Sequence, residues 1–174
     1  VLYRRRLHTR DRDVDAVLGC MKCLDALGHW QEVVDLCFMT WDSLHAATTA
    51  SKVRKKAAAL ATTAAWNLGQ WENMEKLVAV MEPQEMAVEG PFFRAVLAVH
   101  RGRFEDCAYH IDRARRLLHN TFSALVSESY KRAYTSMVSV QQLAEIEEVV
   151  EYKRVEMDSA RADEATILRQ RIVD

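Results

Sequence analysis

The chain has 174 residues, of which 49% are hydrophobic and 28% charged, and its formal net charge is −1. It contains only five glycines and two prolines. That scarcity argues against β-sandwiches and barrels, whose many turns need these residues, and against a disordered chain. The near-zero charge gives no general attraction to nucleic acid or anionic membranes. No apolar run reaches the ~20 residues that span a bilayer. With 23 alanines, the composition predicts an all-α protein without a membrane span.

Cysteine spacing is the first pattern along the chain. The pair Cys20 and Cys23 has metal-like spacing, but no second such pair follows it. The surrounding residues, 17–24, form an apolar helical pattern in which free cysteine acts as a small hydrophobe. We therefore interpret the thiols as structural and reduced. A zinc or redox site is the alternative.

A glycine followed two residues later by an aromatic residue recurs three times. The three steps are Gly28 with Trp30, Gly69 with Trp71, and Gly102 with Phe104. A weaker fourth copy has Ala144 in place of glycine and Ile146 in place of the aromatic residue.

Each step has a physical interpretation. Glycine ends one helix because it adopts the left-handed conformation without a Cβ penalty. The aromatic residue then opens the next helix and packs against the one just finished. Antiparallel pairs of this kind bury their apolar faces by stacking. The sequence therefore predicts one segment over residues 1–174, with about four helix pairs and turns near 28, 69, 102 and 144. The predicted fold is an αα-superhelix, a right-handed solenoid similar to tetratricopeptide repeats.

Three further local features are predicted. Residues 119–121 are expected to form a turn. Asp158 and Ser159 are expected to cap a last helix. His100 and His110 are expected to be exposed or to cap helices.

Catalytic and metal-binding patterns are scarce. We find no phosphate-binding glycine loop, no nucleophile elbow and no zinc-protease motif, so we predict no catalytic, cofactor-binding or metal site in this chain. The acidic run of residues 145–151 fits a solvated helix face better than a metal cluster. The arginine-rich residues 1–13 lack interleaved aromatics, so a solvated turn is favoured over a nucleic-acid arm, and no nucleic-acid partner is predicted.

Five blocks in order resemble the FAT domain of target-of-rapamycin kinases, members of the phosphatidylinositol-3-kinase-related family. The second, residues 64–75, contains the sequence Trp-Asn-Leu-Gly-Gln-Trp and is the most recognisable. The others are residues 21–30, 92–100, 128–139 and 147–153. Together they cover some 130 residues with family-like separations.

The resemblance implies a non-catalytic scaffold. FAT domains are stacked helical pairs that wrap the protein kinase domain as a C-shaped clamp. The implied partners are that kinase domain, neighbouring repeats of the same longer chain and other subunits of the complex in growth and nutrient signalling. ATP and magnesium would bind only in the kinase domain. The implied location is cytoplasmic, with nuclear or endomembrane-surface locations as part of a complex.

The resemblance also implies one ligand. In this family a basic pocket of the FAT region holds an inositol polyphosphate such as inositol hexakisphosphate. The matching blocks place Arg132 and Lys153 at such a pocket, with Lys131 and Arg154 beside them. Several converging cations are what a dense set of phosphates requires.

A stand-alone helical-repeat adaptor that binds peptides in its concave groove is the alternative. Such an adaptor is expected to end in a capping helix with a polar outer face. The final residues, Ile172 to Asp174, instead continue a helical pattern, which favours a segment of a longer protein.

Overall fold

The computed structural model describes residues 14–46, 50–81, 88–125 and 130–173. Within these ranges the chain forms seven α-helices and no strand. The all-α prediction is therefore confirmed. The helices are α1 (Val14–Ala26), α2 (Trp30–Ala46), α3 (Ala50–Asn67), α4 (Trp71–Val80), α5 (Glu89–His100), α6 (Phe104–Leu125) and α7 (Tyr130–Val173). None of these described helices combines the length and the hydropathy that a membrane crossing requires.

Three glycines reverse the chain between helices. Gly28, Gly69 and Gly102 have φ values of +74°, +67° and +68°. The residue after each glycine donates its N–H to a carbonyl five residues earlier, as from Gln70 to Ala65 at 2.8 Å. Each glycine N–H is bonded to a carbonyl three residues earlier, as from Gly69 to Trp66 at 2.9 Å. This is the Schellman arrangement, which satisfies carbonyls at the helix end.

The chain divides into two compact units, residues 1–93 and 94–174, with the boundary inside α5. In the first unit, α1 packs on α2, α2 on α3 and α3 on α4, and α1 also contacts α3. The first helix of one pair thus touches both its own partner and the first helix of the next pair. That pattern is what a helical-repeat array requires.

A stripe of small side chains lets α3 approach its neighbours closely. Five alanines of α3 have no exposed surface, and they recur at helical spacing. Larger residues from the adjacent helices fill the remaining core, and Met21, Val33, Met74 and Leu77 are at most 1% exposed. Interaxial distance depends on side-chain size at the contact, so an alanine stripe favours tight packing. The five are Ala57, Ala58, Ala61, Ala64 and Ala65.

Aromatic rings connect α3 to the start of α5 in the same unit. The ring centroids of Trp66 and Phe92 lie 5.6 Å apart at an interplanar angle of 67°, and those of Trp66 and Phe93 lie 6.3 Å apart at 77°. Edge-to-face pairs of this kind add to the gain from burial. They fix where α5 begins relative to α3.

A chain of side-chain hydrogen bonds joins the first two turns. Asn73 donates to Gln70 at 2.9 Å, Gln70 donates to Gln31 at 2.6 Å, and Gln31 donates to Asp35 at 2.9 Å. Gln70 follows the second glycine turn and Gln31 lies in the first turn of α2. The bonds therefore set the register between consecutive repeats at the protein surface.

The second unit contains the end of α5, with α6 packed on α7. Its core includes Cys107, Ile111, Ala114 and Leu118 of α6 with Leu143 of α7, none of which is more than 4% exposed. The α6 residues recur at intervals of three and four, as one buried helical face must.

Three predicted breaks are wrong. The expected fourth turn at Ala144 and the expected cap at Asp158 and Ser159 both lie inside the continuous helix α7. The expected turn at 119–121 lies inside α6. Alanine is the best helix former and pays the Cβ penalty in the left-handed region. Ala144 therefore continues the helix, whereas glycine ends the helix at the other three steps.

Substituting Gly69 tests the turn geometry. A Cβ there would meet no atom within 4 Å, so the cost of Gly69→Ala is conformational. We expect its free energy of unfolding to fall by about 1–2 kcal/mol in urea denaturation. Gly69→Asn is the matched control and should cost clearly less, because asparagine tolerates the left-handed region better. Equal losses for both variants would contradict this explanation.

Candidate functional site

The aromatic residues of the three steps begin helices as predicted. Trp30, Trp71 and Phe104 are the first residues of α2, α4 and α6, and each is half-buried. Phe104 also makes a cation–π contact with Arg154, whose guanidinium carbon lies 5.7 Å from the ring centroid. This contact joins the start of α6 to the middle of α7.

An open groove of about 600 Å³ surrounds that contact. Arg154 donates to Glu105 at 2.9 Å, Arg103 pairs with Asp106 at 3.3 Å, and Arg161 lies 4.0 Å from Asp158. Three arginines therefore face three carboxylates, and their formal charges cancel. The groove is lined by Gly102, Arg103, Phe104, Glu105, Asp106, Arg154, Met157, Asp158 and Arg161. A balanced, partly apolar lining suits contact with a protein surface better than capture of a highly charged small ligand.

The four predicted polyphosphate residues all lie on α7, but the structure does not bring them together. Lys131 and Arg132 lie in its first turn, and their side chains are outside the described set. Lys153 and Arg154 are exposed and lie about six turns further along, which separates the two pairs by roughly 30 Å. A single polyphosphate therefore cannot contact both pairs while α7 is straight.

A polar contact between charged side chains joins α6 to α7. Arg115 makes two hydrogen bonds to the Glu147 carboxylate, at 2.6 and 2.5 Å. Glu147 belongs to the acidic run that was predicted to form a solvated helix face, and it forms an ion pair with Arg115. Among the described residues, no group of three or more histidines, cysteines or acids could hold a metal ion.

The thiols lie in different environments. Cys20 is 5% exposed whereas Cys23 is exposed, so the two do not face one cavity. Burial raises the pKa of Cys37 to about 12. Burial and the nearby Glu147 raise the pKa of Cys107 to about 11, while Arg154 lowers it. Buried thiols of this kind are poor nucleophiles.

Helix α7 has an exposed apolar surface that was not predicted from the sequence. Tyr134, Met137 and Val138 are 59%, 46% and 40% exposed. Further along α7, Val149, Tyr152 and Val155 are also exposed. We call these six residues the outer face of α7. The sequence does indicate this second apolar face, because apolar residues occupy two sides of the helix and not one.

Histidine placement also differs from the prediction. His100 is exposed, as expected, but His110 is half-buried. Its Nδ1 is buried and has no hydrogen-bond partner among the described residues. The basic segment of residues 1–13 lies outside the described residues.

Thiol reactivity tests this account of the cysteines. At pH 8 the thiolate fractions of Cys37 and Cys107 should be on the order of one in a thousand or less. Cys20 is shielded by burial. We therefore expect one fast equivalent, from Cys23, when the native chain reacts with a chromogenic disulfide, and four equivalents after denaturation. The variant Cys23→Ser should lose the fast equivalent, and a fast phase that persists in it would contradict the assignment.

Comparison with known proteins gives a consistent result. The family model described as "FAT domain" matches residues 58–173. The chain is 40% identical over 153 residues to "Serine/threonine-protein kinase mTor" of Drosophila melanogaster. That alignment covers 88% of this chain and 6% of the relative. It is 36% identical over 167 residues to "Serine/threonine-protein kinase TOR" of Oryza sativa subsp. japonica, covering 87% and 7%. It is 37% identical over 157 residues to "Serine/threonine-protein kinase TOR2" of Saccharomyces cerevisiae, covering 90% and 6%.

The chain therefore spans a small part, 6–7%, of the length of these curated relatives. The family model begins within α3 and covers the last four described helices, α4 to α7, completely. The glycine turns at Gly69 and Gly102 lie within the residues that the family model matches. The chain belongs to the FAT-domain family.

Proposed function

We propose that this chain is a non-catalytic scaffold segment of a large TOR-like serine/threonine kinase. The observation that carries the proposal is the family match over 58–173, which coincides with paired helices joined by glycine turns. The relatives in which this segment occurs are named as serine/threonine kinases. In the first unit the two helix pairs are packed on each other, because α3 contacts both α1 and α2, and such packing resists bending.

The scaffold acts by holding other parts in place. In this proposal the segment helps to clamp the kinase domain and presents surface to other subunits in growth and nutrient signalling. Two surfaces support that role: the outer face of α7 and the balanced groove around Arg154. Exposed apolar side chains with polar neighbours are typical of protein-contact surfaces. Coupling to kinase activity would require that these surfaces make different contacts in two kinase states.

The stand-alone adaptor is the second candidate. It accounts for the repeats equally well, because free repeat proteins also stack helix pairs and bind partners. The adaptor does not account for identity of 36–40% over most of the chain to kinases from an insect, a plant and a yeast. We also propose a cytoplasmic location, because the resemblance to target-of-rapamycin kinases implies it.

The size of the native polypeptide separates the two candidates. An antibody against this chain should detect a band an order of magnitude above 20.0 kDa in native cell extract, and the immunoprecipitate should phosphorylate a protein substrate. Competition with the purified chain should remove the signal and serves as the control. A band near 20.0 kDa would favour the adaptor.

The inositol polyphosphate site remains a prediction, and the geometry of α7 sharpens its test. Because Arg132 and Lys153 are separated by about six turns, a site built by this chain can use only one of the two pairs. Calorimetric titration with inositol hexakisphosphate should therefore show binding that one charge reversal, Arg132→Glu or Lys153→Glu, weakens roughly tenfold or more while the other leaves it unchanged. Equal, small effects of both reversals would indicate non-specific attraction and overturn the site.

A further inference from the structure

The outer face of α7 lies opposite the side that packs on α6. Tyr134 and Tyr152 are each nine positions from Leu143, which is buried in the core that α7 shares with α6. Nine residues are two and a half turns of an α-helix, so both tyrosines lie on the side away from that core. The six residues of the outer face fall within an arc of about 120° around the helix axis and extend over about 30 Å. They therefore form one stripe along α7.

The stripe contains two apolar clusters. The first cluster consists of Tyr134, Met137 and Val138. The second cluster consists of Val149, Tyr152 and Val155. In the second cluster Tyr152 and Val155 are 69% and 62% exposed. The two clusters are separated by about 16 Å along the helix axis, so an occupant that covers both of them must itself be elongated.

The polar residues in the same arc carry negative charge. Glu145 and Glu148 lie between the two clusters, Glu156 lies beside the second, and all three are exposed. Gln141 donates a hydrogen bond to Glu145 at 3.3 Å. The cations of α7 whose side chains are described lie outside the arc, and they are Lys153, Arg154 and Arg161. The outer face therefore combines exposed apolar clusters with an acidic centre.

We propose that the outer face of α7 is the docking site for one amphipathic helix of a partner protein, and that this helix has a basic centre. Its apolar ends pack on the two clusters, and its central lysines or arginines pair with Glu145 and Glu148. A helix of about 20 residues matches the length of the stripe, and helices that cross at about 20° stay in contact over several turns. The apolar ends supply affinity, and the charged centre fixes the register.

Charge favours this occupant over the others. A second copy of α7 that covered both clusters would bring its own glutamates beside Glu145 and Glu148, and like charges placed together in an interface are unfavourable. Nucleic acid and anionic membrane surfaces carry the same sign of charge as the outer face, so they are repelled. A basic amphipathic helix gains from both the apolar clusters and the acidic centre.

The docking site deepens the scaffold proposal and rests on it, because it states the chemistry of one partner. The two proposals fail separately. A kinase-sized band in cell extract together with no binding of a basic helix at this face would leave the scaffold role in place and overturn the docking site alone.

A pair of synthetic helical peptides tests the proposal with the full 174-residue chain. Each peptide has about 22 residues, enough to span the stripe, with leucines at both ends of its contact face. One peptide has lysines at the centre of that face, and the matched control has glutamates there. Fluorescence anisotropy should show that the lysine peptide binds roughly tenfold or more tightly than the glutamate peptide, and that the difference shrinks in high salt. Equal affinities would overturn the proposal.

Charge variants of the chain locate the binding. Glu148→Lys should weaken binding of the lysine peptide roughly tenfold or more and strengthen binding of the glutamate peptide. Glu72→Lys is the matched control, because Glu72 is an exposed glutamate of the first unit, and it should change neither affinity. Equal effects of the two variants would indicate general attraction and overturn the site.

Variants in the two apolar clusters test whether one helix covers both. Tyr134→Ser and Tyr152→Ser should each weaken binding of the lysine peptide roughly tenfold. Both tyrosines are exposed, so circular dichroism should show unchanged helical content. A loss from only one of the variants would overturn the two-cluster site. Sedimentation equilibrium without peptide should show a monomer, and a dimer that Tyr152→Ser dissociates would assign the face to a second copy and overturn the proposal.

Discussion

The fold depends on the left-handed backbone at three glycines. Each glycine permits a Schellman turn in which two backbone N–H groups satisfy carbonyls at the end of the preceding helix. The reversal takes only three residues, so the two helices it joins must run antiparallel and side by side. Their apolar faces therefore pack against each other. A half-buried aromatic residue begins the helix that follows each turn. The paired helices that define the FAT-domain segment follow from this local constraint.

Side-chain size then decides how closely the helices of the first unit pack. The alanine stripe of α3 supplies little surface to bury by itself, yet it lets Met21, Val33 and Met74 of neighbouring helices reach full burial. Interiors packed to this density tolerate few changes in volume. The hydrogen-bond chain through Gln31 and Gln70 adds register rather than much stability, because exposed hydrogen bonds exchange readily with water.

In the second unit the two packed helices differ in length. Helix α7 has 44 residues and α6 has 22, so half of the longer helix has no α6 beside it. Exposed valines and tyrosines on its outer face are consistent with further packing partners. The side chains that usually carry catalysis are used otherwise in this unit. Cys107 is a buried thiol with a raised pKa, and Glu147 holds Arg115. A mechanical role fits this chemistry.

The sequence by itself determined the helical class, the three glycine turns and the aromatic residues that open α2, α4 and α6, because these features depend on local backbone preference and on spacing along the chain. It could not decide whether Ala144 ends a helix, since alanine is compatible with a continuous one and only the packing partner selects between the two outcomes. It did not show that Tyr134, Met137 and Val138 are exposed, because periodicity shows that residues share a face but not what covers that face. Only the tertiary structure separated Lys131 and Arg132 from Lys153 and Arg154, and only it brought Arg154 to Phe104 and Arg115 to Glu147. Those juxtapositions depend on how far each helix continues and which neighbour lies beside it, and neither quantity is contained in local sequence.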